Sequence, residues 1–295
     1  MNKIIVILGP TAVGKTKMSV ELAKKLNGEI INADSTQVFK ELDIATAKIT
    51  EEEKENIVHH LFDIKDITSS YTVYDYQKDC RKCIDDIISR GKTPILVGGT
   101  GLYIKAALYN YEFKEENNKS DYSMYSNDEL YAKLLDIDKN TQIHKNNRKR
   151  IERALDCYNN TGSIIGDSKS DKLLYDTLFI GLTTKRDILY DRINRRVDVM
   201  VDNGLLDEAK KIYESNIRTK AITTPIGYKE LFPYYENKED LNTCLDKIKQ
   251  NSRRYAKRQY TFFNHQLDVK WFDVNFDNFN ETIDNVYEYI KKETN

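Results

Sequence analysis

The chain has 295 residues, 40% of them hydrophobic and 32% charged, with 46 basic against 47 acidic side chains. That length suits one large α/β domain or a core carrying an insert, and the composition excludes a largely disordered chain. A net charge of −1 excludes global attraction to a polyanion, so a nucleic-acid partner would have to be held by local clusters of Lys and Arg.

The N-terminus runs directly into an apolar strand, Ile4 to Leu8, with no small-residue cleavage site before it, and no apolar run is long enough to span a membrane. A cytoplasmic protein is expected. The strand ends in Gly9-Pro10-Thr11-Ala12-Val13-Gly14-Lys15-Thr16, a complete G-x-x-x-x-G-K-[ST] match, and Lys15 to Leu26 follows at helical period with Met18, Leu22 and Leu26 on one face. In a strand–loop–helix setting the glycines free backbone N–H groups to point inward, and the helix N-terminus adds partial positive charge. Gly9 and Thr11 to Thr16 are therefore expected to cradle a diphosphate, with Lys15 neutralising its charge and the Thr16 hydroxyl placed to ligate Mg²⁺.

Glu29 to Asn32 predicts a second strand, ending at Ala33-Asp34-Ser35, and a further short strand is expected over His60 to Ile64. Val73, Tyr76, Cys80, Ile84 and Ile87 repeat at helical spacing, so a helix from Thr72 to Arg90 stops at Gly91. That stripe makes Cys80 and Cys83 packing residues, since no second Cys/His pair stands at ligand spacing. His59 and His60, without a third ligand nearby, read as core or hydrogen-bonding residues. Pro94 to Val97 predicts a strand ending in Gly98-Gly99-Thr100-Gly101.

Strands alternating with helices predict a parallel sheet covered on both faces, with ligands gathered at the carboxyl ends of its strands. The P-loop, Asp34 and Gly98-Gly99-Thr100 are thus expected on one rim. An ATPase normally ends a neighbouring strand in an Asp that organises Mg²⁺; here Ile95-Leu96-Val97 leads into glycines. Asp34 is the carboxylate available beside the cradle, as a metal partner, a general base or a helix cap.

From 112 to 176 the texture turns polar, with helical pieces at Asp128 to Asp136 and Arg148 to Tyr158. A mainly helical insert is expected there, within a core of residues 1–111 and 177–295. The core resumes with a strand at Leu178 to Leu182, helices over Arg186 to Val201, Leu205 to Tyr213 and Leu241 to Phe263, and a last strand at Val269 to Asp273. Two basic clusters stand out: Lys145, Arg148, Lys149, Arg150 and Arg153, and Lys247, Lys249, Arg253, Arg254, Lys257 and Arg258. On the second, Leu241, Leu245, Ile248, Tyr255 and Phe262 form the expected buried stripe. Either cluster alone reads as a solvated helix face; two in a near-neutral phosphate-binding protein point to an RNA or DNA backbone. One of Arg192, Arg195 and Arg196 is expected to reach the diphosphate.

With these residues in place, the chain resembles the bacterial tRNA dimethylallyltransferases over nearly its whole length. The likeness runs through GPTAVGKT, NADSTQVFKELDIATAK from Asn32, HHLFDI from His59, PILVGGTGLYIKA from Pro94 and RIERAL from Arg150. It continues in RINRRVDVMVDNGLLDEA from Arg192, IGYKEL from Ile226 and YAKRQYTFF from Tyr255. The resemblance implies a P-loop nucleotide-kinase-like parallel-sheet core with a mainly helical inserted domain. It implies transfer of a dimethylallyl group from dimethylallyl diphosphate to N6 of adenosine-37 in tRNA, with Mg²⁺, the target adenine being flipped into a channel.

Residue by residue, it implies Asp34 as the base, Thr100 as the residue steering the leaving diphosphate, and Arg196 as a diphosphate ligand. Contacts to the anticodon stem-loop are implied for Asp34, Ser35, Thr36, Gln37 and Thr100, and for Lys149, Arg150, Ile151, Glu152 and Arg153. Arg254 and Arg258 are expected to join them, in a protein acting as a monomer. Thr36, Phe39 and Ala45 stand where Met, Tyr and Gly are frequent, and Phe262-Phe263-Asn264 replaces the usual Trp-Phe-Arg, removing one expected RNA contact. The alternatives are a small-molecule kinase using ATP, with the insert as its lid, and a non-catalytic RNA-binding P-loop protein.

Overall fold

A computed structural model describes residues 3–111, 113, 120–162 and 172–294. Ile4–Leu8 forms β1 and Gly28–Asn32 β2, both buried at every position; β1 is unbrokenly apolar, as a strand covered on two faces requires, whereas β2 buries Glu29 and Asn32 with their polar groups hydrogen-bonded. Thr93–Gly98 is β4 and Thr177–Thr183 is β5, with two short edge strands, β3 (His59–His60) and β6 (Lys270–Asp273). The sheet has the order β3-β2-β4-β1-β5-β6 with every pair parallel. Ile5, Ile7, Ile30 and Ile95 point to the face covered by α1 (Lys15–Leu26) and the C-terminal helix Phe279–Thr294. The alternating residues Val6, Ile31 and Leu96 face the other way, toward the side of α2 (Val73–Ser89) and α3 (Gly101–Leu108).

The α2 helix begins where expected. Thr72 Oγ1 accepts from Asp75 N at 3.2 Å while Asp75 Oδ2 accepts from Thr72 N at 2.8 Å, a reciprocal capping box. Cys80 is wholly buried on its apolar stripe, and burial pushes its thiol up to about 12, leaving it inert.

The expected strand over His60 to Ile64 is shorter than predicted. Only His59–His60 pairs with β2, because Leu61 and Asp63 take left-handed φ of 64° and 53° and turn the chain out of the sheet. The terminal helix was not anticipated either, although Ile283, Val286 and Ile290 carry its helical spacing.

The chain divides into two compact units, Met1–Leu108 with Leu173–Asn295, and Tyr109–Lys172. Glu112, the first residue of the expected insert, lies outside the described residues. The second unit holds α4 (Asn127–Ile137) and α5 (Arg148–Thr161). Ser126 and Glu129 cap α4 reciprocally, and Leu130 and Leu134 pack on Ile151, Ala154 and Leu155 in a small core of their own.

In the larger unit the chain continues through α6 (Arg186–Asp202), α7 (Leu205–Glu214), two short turns α8 (Lys220–Thr223) and α9 (Phe232–Tyr235), α10 (Leu241–Gln266) and, after β6, α11, the terminal helix already described. α10 buries Cys244, Ile248, Ala256, Gln259 and Phe263 most deeply. The expected stripe is displaced because Tyr255 and Phe262, only half-buried, turn to the rim of the sheet instead.

At that rim β2 and β4 come unusually close. A Cβ on Gly98 would stand 2.2 Å from the carbonyl carbon and oxygen of Ala33, backbone atoms that cannot step aside. Gly98→Ala should cost about 3 kcal/mol or more, as overpacking against backbone does, and urea denaturation followed by circular dichroism measures it. Gly91→Ala, with nothing within 4 Å of the added carbon, should cost only the price of its positive φ, about 1 kcal/mol.

Candidate active site

The P-loop closes through backbone conformations that few residues adopt. Gly9, Ala12 and Gly14 have φ of 145°, 65° and 99°, which curls the loop so that successive N–H groups line a concave nest at the start of α1. A Cβ on Gly14 would meet the Phe279 ring at 2.7 Å, so the residue is glycine for space as well as for conformation. Lys15 Nζ folds back to donate to Pro10 O at 2.8 Å. Burial lowers the Lys15 pKa to about 7, reinforced by the neighbouring Arg196 and opposed by Asp34.

Two side chains from later in the sequence fix the outer wall of this loop. Arg192 Nε donates to Ala12 O at 3.0 Å, and its guanidinium lies 3.7 Å from the centroid of Phe276. Gln259 Oε1 accepts from Thr11 N at 3.1 Å while its Nε2 donates to Gly99 O at 3.1 Å, so one buried amide ties the P-loop to the end of β4. Of Arg192, Arg195 and Arg196 on α6, Arg192 is therefore committed to the loop and Arg195 pairs with Asp191 at 2.9 Å. Arg196 has no ion-pair partner among the described residues; burial lowers its pKa, and the charge of Asp34 opposes that shift.

Asp34 follows β2 in a turn built by its neighbours. Asn32 Oδ1 accepts from Asp34 N at 2.8 Å, and Asn32 Nδ2 donates to the carbonyls of Asp34 and Leu61 at 3.1 and 3.0 Å. Asp34 Oδ1 in turn accepts from Thr36 N at 3.0 Å and Thr36 Oγ1 at 2.7 Å. This is an Asx turn, and no helix starts there, so the helix-cap reading of Asp34 is replaced. Thr100 N donates to Ala33 O at 3.1 Å, and Thr100 Oγ1 accepts from Ser35 N at 3.0 Å and donates to Ser35 Oγ at 3.2 Å. Strand ends β2 and β4 are thereby stitched side chain to backbone. Burial first, then the Asp34 charge, raises the phenols of Tyr103 and Tyr255 beside them.

The segment from Gln37 to Lys48 forms a further wall, held from within. Gln37 Nε2 donates to Thr46 O and Ala47 O at 2.9 and 3.2 Å, which leaves only its carbonyl oxygen to offer a ligand. Glu208, on α7, accepts from the N–H groups of Asp43, Ile44 and Ala45 and from the Tyr228 hydroxyl at 2.7 Å. A single carboxylate thus gathers a turn's unpaired donors, the anion-nest arrangement seen from the protein's own side.

These walls enclose a cavity of about 730 Å³. Thr11, Ala12, Gly14, Lys15 and Thr16 line it on one side, Asp34 to Gln37 and Thr100 on another, and Arg196 and Arg258 on a third. Ile49, Phe62, Val97 and Ile226 give it an apolar portion. Gly9 and Val13 are not in its lining; Val13 is fully buried behind the loop and can offer only backbone. The Thr16 hydroxyl makes no hydrogen bond among the described residues, and neither does Asp34 Oδ2. No group of three His, Cys, Asp or Glu side chains at ligand distance occurs among the described residues. His59 Nδ1 bonds Ile57 O and His60 Nε2 bonds Glu29, as hydrogen-bonding residues do.

The basic clusters resolve into committed and open members. On α10, Lys247 pairs with Glu239, Lys249 with Asp198, and Arg253 bonds Asn194, whereas Arg254 and Lys257 are exposed with no ion-pair partner among the described residues. Asn264 accepts from Trp271 Nε1 at 3.0 Å, so this substitution supplies an internal bond. In the smaller unit Arg148 is spent on Glu152 and the carbonyls of Tyr122 and Tyr125, while Lys149 and Arg150 are exposed. The Ile151 side chain is 0% exposed in the core of that unit, so it can offer an RNA only its backbone.

Sequence reasoning missed Gln259, Tyr255, Glu208 and Asn32. Gln259 carried a readable signal, a polar residue three helical turns from buried Ile248 on the same face. Asn32 and Glu208 carried none, because all but one of the groups they bond, the Tyr228 hydroxyl, are backbone groups that a sequence does not distinguish.

The family model described as IPP transferase matches residues 37–266. Curated relatives include tRNA dimethylallyltransferases of Anoxybacillus flavithermus, 48% identical over 98% of this chain and 96% of the relative, and of Bacillus licheniformis, 47% identical over 93% of each. Among solved structures, the tRNA isopentenylpyrophosphate transferase of Bacillus halodurans is 44% identical with a TM-score of 0.77, covering 99% of this chain and 96% of that one. A eukaryotic dimethylallyltransferase solved acting on tRNA is 34% identical with a TM-score of 0.80, covering 92% of this chain and 74% of that one.

The lowered Lys15 pKa has a measurable consequence. Below pH 7 the ammonium is already present; above about 7 a bound diphosphate favours the ammonium, so binding takes up a proton and weakens as pH rises, at most about tenfold per unit. Calorimetry with inorganic pyrophosphate at pH 8, in buffers of differing ionisation enthalpy, should give an uptake larger by roughly one proton in the wild type than in Lys15→Met.

Proposed function

The chain belongs to the IPP transferase family, and from that premise we propose that it transfers a dimethylallyl group from dimethylallyl diphosphate to N6 of adenosine-37 in tRNA, releasing pyrophosphate. The observation that carries this reading is the company the P-loop keeps. Its cavity holds Asp34, with one unpartnered carboxylate oxygen, and no carboxylate ends β4 where a nucleotide hydrolase would place one.

In this reading the diphosphate rests on the N–H groups of residues 12–16, the Thr11 N–H being held by Gln259, with Lys15 and Arg196 against its oxygens. The adenine N6 lone pair forms a bond to C1 of the allyl group, and the C1–O bond breaks with its electron pair going to the diphosphate. The N6 proton passes to Asp34. Charge developing on the leaving group meets cations and amides already held in place by the fold, so that stabilising it needs little reorganisation. The amine is a weak nucleophile, so a positioned base contributes as the new bond forms. Burial of the five-carbon tail against Ile49, Phe62, Val97 and Ile226 contributes at most ~4 kcal/mol at ~0.8 per carbon, so orientation rests chiefly on the diphosphate end.

The donor set suits Mg²⁺. This ion takes one or two protein oxygens and completes its shell with phosphates and water, and the free Thr16 hydroxyl is such a ligand. When bound, the ion would neutralise charge on the leaving diphosphate. Ser35, Thr36, Gln37 and Thr100 would border the flipped base, and Lys149, Arg150, Arg153, Arg254 and Arg258 would meet the RNA backbone. The protein would act as a monomer in the cytoplasm; no helix of the described residues is long and apolar enough to cross a membrane.

Incubation with labelled dimethylallyl diphosphate and an unmodified tRNA with an A-rich anticodon loop should move label into adenosine. ADP formation driven by a small acceptor, with no labelled tRNA, would overturn the reading. Asp34→Asn should lower single-turnover rate by about 10²- to 10⁴-fold, the usual worth of a general base, with tRNA affinity retained. Replacing Arg254 and Arg258 by Gln should flatten the slope of log affinity against log salt by roughly one to two.

A further inference from the structure

Resting on Asp34 as the proton acceptor, we propose that Thr36 is a positioning residue that holds the Asp34 carboxylate by one oxygen and keeps the other for the substrate amine. A carboxylate on a short side chain has two equivalent oxygens and a soft terminal torsion. Here the equivalence is broken by one residue. Thr36 brings two donors to the same atom, its N–H at 3.0 Å and its Oγ1 at 2.7 Å from Oδ1. Both bonds set the carboxylate plane, and Oδ2 is left without a partner among the described residues.

The constraint matters because of what surrounds the carboxylate. Lys15 on α1 and Arg196 on α6 both feel the Asp34 charge, and so do the phenols of Tyr103 on α3 and Tyr255 on α10. A carboxylate free to rotate would be drawn toward the two cations that the diphosphate needs, forming an ion pair that disarms base and cradle together. No such pair exists among the described residues. The backbone N–H of residue 36 would be present whatever side chain stood there, but the hydroxyl would not. β-branching restricts the χ1 of Thr36, so the donor is held in place with little entropy left to lose. The geometry therefore gives the hydroxyl the task of keeping Asp34 off Lys15 and Arg196 until the amine arrives.

Single-turnover prenylation of tRNA by Thr36→Val, which keeps shape and loses the donor, tests this. A charge-assisted hydrogen bond of usual strength predicts a rate about tenfold lower, with KM for tRNA and for dimethylallyl diphosphate within about twofold of wild type. Thr36→Ser should recover most of the rate. In the Asp34→Asn background Thr36→Val should have no further effect, because the bond it removes serves only the carboxylate. A raised KM for tRNA at unchanged rate would overturn the proposal in favour of a direct RNA contact. A wild-type rate in Thr36→Val, failure of Thr36→Ser to recover, or additivity with Asp34→Asn would also overturn it. If Asp34→Asn itself turns over like wild type, the base assignment falls and this proposal with it; if only Thr36→Val is silent, the base assignment stands alone.

Discussion

The site depends on the near-contact of two backbones at the carboxyl ends of β2 and β4. With no room for a Cβ on Gly98, the Ala33 carbonyl reaches the Thr100 N–H, and the Thr100 hydroxyl reaches Ser35. This brings a carboxylate turn from one strand and a hydroxyl turn from another beside the phosphate loop of a third, β1, which lies on the far side of β4. Each of the three loops alone is ordinary. Held at this spacing they make one cavity in which an anion grip, a base and a hydroxyl can act on the same pair of substrates.

Much of this was legible in the residues themselves. The P-loop announces its own geometry, because the left-handed turns it requires select glycine, and the apolar runs of the central strands admit little but burial on both faces. The convergence on one rim follows from strand polarity alone. What could not be read is what depends on backbone groups or on contacts distant in sequence. Asn32 and Glu208 act on backbone groups, which have no identity in a sequence, and Leu61 ends its strand through a backbone conformation that its side chain does not announce. The early end of β3 is invisible for that reason; the helical spacing of α11 stands in Ile283, Val286 and Ile290, and only its place against the sheet depends on distant contacts.

Charge told a similar story. A basic run on α10 looks uniform as a string of letters, yet Lys247 and Lys249 are neutralised by carboxylates and Arg253 is held by the Asn194 amide, while Arg254 and Lys257 remain open. The spacing of cations along a helix says which face they share; only the surrounding elements say which of them are already answered. Ile151 shows the converse, a residue inside a basic motif whose place in that motif is owed to packing.

The Gln259 amide has a consequence for how the protein is made. Thr11 and its partner are 248 residues apart, so during synthesis the P-loop leaves the ribosome first and waits for the wall that completes it. Sheet strands β1, β2 and β4 can pair as they emerge, and domains do form in that vectorial order, but the cradle stays open on one side until α10 is in place. A chain interrupted before that helix would retain a perfect phosphate-binding motif and lack a finished phosphate-binding site. Assembly of the active centre is in this way deferred until α10 has been made and has packed against the loop.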